Sequence, residues 1–130
     1  METKFFEFNQ MNSGGSLHID NNVTSHVYIE AINATHANSI AEEKGIYFNG
    51  VEKGIDCKCC GDRWNRSYGE DNPYEIYDQS NIEKIPLETD NRELHVSWRK
   101  QFRYSSDIKY YSVFIYHLNG DKFGIKTNRY

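Results

Sequence analysis

The chain has 130 residues and a formal net charge of −4, with 38% hydrophobic and 15% aromatic residues. That length suits one domain spanning 1–130, and ten Tyr, seven Phe and two Trp exclude a disordered segment despite a mean hydropathy of −0.81. No apolar run approaches the roughly 20 residues of a membrane-spanning helix, and an acidic body repels nucleic-acid polymers.

The N-terminal stretch METKFFEFNQ lacks the apolar core and cleavage site of a leader, so an intracellular, soluble protein is expected. Lys4–Asn9 reads as a strand with Phe6 and Phe8 on one face and Phe5 and Glu7 on the other. Asn12-Ser13-Gly14-Gly15 signals a turn into a short alternation of Leu17 and Ile19. Asp20-Asn21-Asn22 then turns into Val27, Ile29 and Ala31. Together these predict a three-stranded antiparallel meander.

A helix follows. Asn33 caps it, Ala34, Ala37, Ile40, Ala41 and Lys44 recur at helical spacing, and Gly45 stops it. Its apolar stripe is made of small residues, so it is expected to lie close against a sheet. Ile46-Tyr47-Phe48 resumes an extended pattern, and residues 49–64 are irregular and punctuated by glycine. The polar segment 65–92 reads as an extended arm or as short edge strands. Leu94, Val96 and Trp98 alternate as a strand. Asn119-Gly120 joins Tyr110–Leu118 to Asp121–Thr127 as a hairpin. The fold class expected is α+β: an antiparallel sheet, built from an N-terminal meander and a C-terminal hairpin, with one packed helix.

The densest chemistry lies in Gly54–Trp64. Cys57 and Cys60 form a C-x-x-C knuckle, whose two thiolates can converge on zinc. No second knuckle exists, so completion needs a distant His or another subunit, and His18, His26, His36, His95 and His117 repeat no ligand spacing. With Cys59, the three thiols make a poor disulfide framework, and packed, reduced thiols are the plainer expectation. Asp62-Arg63-Trp64 offers a carboxylate acceptor, a planar donor fork and a stacking surface, as a nucleotide site does. The plainer alternative is a local ion pair with Trp64 anchoring the loop. Ser13-Gly14-Gly15 suits an anion nest or an ordinary turn.

Residues 99–130 carry seven Lys/Arg against Asp107 and Asp121, a balance of +5 that leaves −9 for residues 1–98. Within Trp98–Tyr104, Arg99 and Arg103 alternate with aromatics, as in nucleotide-binding surfaces, although strand amphipathicity also explains Trp98. Enzyme signatures are absent from the sequence. Gly45-Ile46-Tyr47 lacks its companion tripeptide for a GIY-YIG nuclease, and Glu52, Asp56 and Asp62 lack a nucleophile or base partner.

Ser13-Gly14-Gly15 after a Phe-rich strand, then Gly45–Val51, then Gly54–Trp64, resembles a family of small tailed-phage proteins. The likeness covers residues 1–64 well and the rest in outline. That family is in turn similar to the anti-CBASS sponges, which sequester cyclic oligonucleotide immune signals without cleaving them. The resemblance implies a non-catalytic homodimer or higher oligomer in the host cytoplasm, with no cofactor, binding a cyclic dinucleotide or related messenger. The residue chemistry assigns that ligand to Ser13, Gly14, Gly15, Asp62, Arg63, Trp64, Arg99 and Arg103. The competing expectation is a zinc-stabilised module that grips a host protein.

Overall fold

The computed structural model describes residues 2–11, 17–67, 69–92, 94 and 110–126. Its strands are β1 (Lys4–Asn9), β2 (His26–Ala31), β3 (Ile82–Ile85), β4 (Val113–Tyr116) and β5 (Lys122–Ile125). They form a single sheet in the order β1-β2-β4-β5-β3, antiparallel except where β2 meets β4. The principal helix is α1 (Ala34–Glu43), followed by the one-turn α2 (Pro73–Ile76) and a 3-10 turn at Gln79–Asn81. The fold is therefore α+β, as expected.

Side-chain alternation sorts the sheet into two faces. Phe6 and Phe8, Val27 and Ile29, Phe114 and Tyr116, and Ile85 share the face beneath α1, where Ala37 and Ala41 are fully buried. Small residues let the helix backbone come close, as the sequence implies. On the other face, Tyr28, Val113, Ile115 and Ile125 are covered by Tyr74 and Tyr77. The helix ends are also as expected. Asn33 Oδ1 accepts from the His36 N–H at 2.9 Å. At the C-terminus Gly45 takes φ +98, while its N–H reaches Glu42 O and the Ile46 N–H reaches Ala41 O, a Schellman cap.

Three expectations need correction. Leu17–Ile19 is not a strand, because β2 has β1 on one edge and β4 on the other and offers no free edge to a third. The Gln10 side-chain amide takes that role instead, bonding His18 O at 2.6 Å and the His18 N–H at 2.8 Å. Ile46 and Phe48 are buried, as the alternation implies, but their backbone joins no ladder. Leu94 sits in a helical turn with Asn91 and Arg92, its N–H reaching Asp90 O. Of the two readings of residues 65–92, the short edge strand is the one found, as β3. The hairpin at Asn119-Gly120 is present, with Gly120 at φ +100. Val96 and Trp98, the rest of the strand expected with Leu94, lie outside the described residues.

Two core positions carry testable consequences. A Cβ on Gly124 would stand 2.5 Å from Tyr111 Cδ1 and 3.0 Å from Ile85 Cδ1, so the Tyr111 ring lies on bare backbone. Gly124→Ala should cost about 1–3 kcal/mol by overpacking, read from urea unfolding. Lys122 is 1% exposed, donates to Asn21 O and Leu87 O, and lies 4.0 Å from the Phe114 ring centroid. Burial, and next the charge of Lys44, pull its ammonium down from 10.5 to about 8. The unfolded chain then holds the proton more tightly between those values, so stability should rise as pH increases from about 8 to 10.5. In Lys122→Met that rise in unfolding temperature should be lost.

Candidate functional site

The loop from Ile46 to Ser67 is stitched by two carboxylates. Asp56 Oδ1 accepts from the Tyr47 hydroxyl at 2.8 Å and Oδ2 from the Arg63 N–H at 2.8 Å. Asp62 Oδ1 accepts from the Val51 N–H at 2.8 Å. Gly50 O receives the N–H groups of Ile55 and Asp56, folding Asn49–Asp56 into a compact turn with Asn49 at φ +58 and Gly54 at φ +76. The close approach needs Gly50, because a Cβ there would lie 1.9 Å from Asp56 Oδ2 and 2.8 Å from Tyr47 Cε2. The Gly-Val step and the Gly-Ile-Asp step of the sequence motif are thus two sides of one contact.

The sequence-predicted site residues divide accordingly. Asp62 is engaged with the loop backbone. The Arg63 side chain crosses to Tyr47 Oη (3.2 Å) and Gln10 Oε1 (2.8 Å), and its carbonyl accepts from the Met11 N–H, so it clamps the loop to β1. Burial and then the Asp56 contact raise the Tyr47 phenol above its ordinary range, and the hydroxyl stays protonated at neutral pH. Trp64 is 1% exposed and belongs to the core cluster with Phe8 and Phe48, so its faces are not open for stacking. The three consecutive residues therefore act as anchor and clamp, and Trp64 in particular is corrected from stacking platform to core residue. Ser13, Gly14, Gly15, Arg99 and Arg103 lie outside the described residues.

An opening begins one residue later. Phe48, Asn49, Trp64, Asn65 and Arg66 line a cavity of about 260 Å³. Asn65 and Arg66 also line a neighbouring cavity of about 280 Å³, with Glu7, Asn9 and Asp71 on its walls. The exposed Arg66 guanidinium lies 5.0 Å from the Phe48 ring centroid and makes no ion pair among the described residues. Trp64 Nε1 is buried and finds no hydrogen-bond acceptor there. Sequence reading missed Asn65 and Arg66, although a cation two places after a buried Trp was the available signal.

The thiols form a tight turn at the loop's outer end. Cys57 and Cys59 are exposed, Cys60 is half-buried, and the Cys59 and Cys60 sulfurs are 3.7 Å apart. The Cys59 thiol, followed by backbone N–H groups, holds Cys57 below the ordinary thiol range, while Cys59 is pushed up to about 11.

A separate cleft of about 310 Å³ opens beyond the carboxyl ends of β2 and β4, lined by Glu30, His36, Lys44 and His117 among others. Glu30 Oε1 lies 3.4 Å from His117 Nδ1, and His117 Nε2 lies 2.6 Å from the Tyr74 hydroxyl. Burial raises the Tyr74 phenol, so this chain of groups orients a hydroxyl without ionising it. Residues at 30, 74 and 117 share no motif, so sequence reading could not have joined them.

The family model for a domain of unknown function, DUF7296, matches residues 3–128, and the chain belongs to that family. No curated protein and no solved structure matches it. Among the described residues, no helix is long and apolar enough to cross a membrane.

The seat of Asp56 is open to a double-mutant test. Gly50→Ala and Asp56→Ala should each destabilise by about 1–3 kcal/mol, since each leaves the same buried donors unpaired. In the Asp56→Ala background the carboxylate clash is gone and only the Tyr47 ring edge, 2.8 Å away, still crowds the added methyl, so Gly50→Ala should cost less there. Additive effects in urea unfolding would contradict the shared contact.

Proposed function

We propose that the protein binds a small anionic nucleotide and withholds it unchanged, as a phage-encoded sponge for cyclic oligonucleotide immune signals would. The observation that carries this reading is Arg66. Its guanidinium is stacked by Phe48, free of carboxylate partners among the described residues, and set at a cavity that Asn49 and Asn65 also line. A guanidinium fork suits phosphate oxygens. Glu7 and Asp71 in the adjoining cavity suit the amino and imino groups of a base. The binding residues are thus Asn65 and Arg66 rather than Asp62 and Arg63, which hold them in place.

Size limits the stoichiometry. The two adjoining spaces, about 260 and 280 Å³, each fall just short of the roughly 300 Å³ at which small-molecule sites begin, so one chain receives one base with its phosphodiester. A cyclic dinucleotide, with its two-fold shape, then requires two chains around it. The acidic body of residues 1–98 discourages longer polyanions, which a sponge must leave alone.

Purified protein incubated with a panel of cyclic oligonucleotides, then heated, should release one of them intact, identified by mass spectrometry. A cleaved product, or no retained nucleotide, would overturn the reading. Arg66→Ala should weaken binding at least tenfold with unchanged circular dichroism, because a charge-assisted hydrogen bond is worth about 1.5–3 kcal/mol. Arg63→Ala should instead lower the unfolding temperature, through loss of the links to Tyr47 and Gln10.

A further inference from the structure

The Cys57–Gly61 turn has a backbone form that its sequence alone does not reveal. The N–H groups of Cys60 and Gly61 both reach Cys57 O, at 3.2 and 3.1 Å, and Gly61 closes the turn in the left-handed region at φ +82. A carbonyl bonded from residues three and four along closes Cys57–Gly61 into one tight turn that carries both cysteines of the C-x-x-C pair. That is how a C-x-x-C knuckle presents two thiolates to a tetrahedral metal, with Zn–S distances of about 2.3 Å. Cys59, between them in sequence, interacts with both neighbours, its sulfur 3.7 Å from that of Cys60. The thiols stand on the protein's surface, where a structural thiol packed for bulk alone would not.

One knuckle is half a site. Among the described residues, no third Cys, His, Asp or Glu converges with the pair. A structural zinc is closed by four ligands, and a second copy of the same turn supplies an identical pair across a two-fold axis. We infer that Cys57 and Cys60 of two copies of this chain assemble one tetrahedral tetrathiolate zinc site at the axis of a homodimer. Each thiol gives up its proton on binding, so four protons leave per zinc and no sulfur changes oxidation state. The complex carries a charge of −2, and the exposed Lys58 lies between the two ligating cysteines in sequence. The site lies apart from the Arg66 cavity, and the inference stands without the nucleotide reading.

The test uses the full chain, stripped of metal by chelator and kept in a non-thiol reductant, then titrated with Zn²⁺. Saturation at half an equivalent per chain is expected, together with a doubling of mass in sedimentation if the stripped chain is monomeric. Co²⁺ in place of zinc should give the absorption of a tetrahedral thiolate site. Cys57→Ser and Cys60→Ser should each lose the half-equivalent binding with unchanged circular dichroism, while Cys59→Ser should keep it. Saturation at one equivalent on monomers, as a ligand such as His95 in the same chain would produce, overturns the inference. So does failure of the unmodified chain to retain zinc, or undiminished binding by Cys57→Ser.

Discussion

Five short strands and one ten-residue helix leave most of the backbone without a ladder, yet much of that backbone is packed against the core. Backbone N–H and C=O groups need partners, and here polar side chains provide many of them, from the exposed His18 to the buried Tyr111. Gln10 pairs with both backbone groups of His18. The fully buried Asn91 does the same for Tyr111, accepting from its N–H at 2.7 Å and donating to its O at 3.0 Å. Asn38 takes the Ser67 N–H, Asp20 those of Asn22 and Val23, Asp56 that of Arg63, and Asp62 that of Val51. A chain with a mean hydropathy of −0.81 can therefore still fold around an aromatic core. Many of its polar residues do the work of strand neighbours.

This constraint also explains what was legible in the sequence. Phe6 and Phe8, the Asn33 cap, the Gly45 stop and the Asn119-Gly120 hairpin depend on residues a few places apart, and each is found where local spacing puts it. The alternation of Leu17 with Ile19 and of Ile46 with Phe48 also reports burial correctly for Ile19, Ile46 and Phe48. Alternation shows which side chains point inward, but not whether a backbone edge is free to pair. That depends on β4 docking parallel to β2, a contact between residues 26–29 and 113–116. No local pattern announces it.

The candidate site was legible by region and not by residue. Gly54–Trp64 is a closely cross-linked loop, with glycine at φ +76 and φ +82 and two half-buried carboxylates bending the chain around its own side chains. The Asp-Arg-Trp run drew attention through residue types suited to a nucleotide. The same types serve a loop that must satisfy its own backbone, and here the loop uses them. Arg66 is left over once those internal demands are met, and it is the nearest cation at the cavity rim. In a loop so heavily cross-linked, the residue without a structural partner is the more informative one.

The parallel seam between β2 and β4 has a consequence for how the molecule is put together. β1 with β2, and β4 with β5, are neighbouring pairs along the chain, while the seam joins them only after the excursion from Ile32 to Ser112 has closed. The entropy of closing such an excursion rises only with the logarithm of its length. Relatives can therefore lengthen or trim much of that span at little thermodynamic cost, provided the segments beneath α1 and the β3 edge are kept. The seam slows assembly, because contacts of high sequence separation form late. It also leaves the surface between its ends free to diversify, and both the knuckle and the Arg66 cavity are built from that stretch of chain.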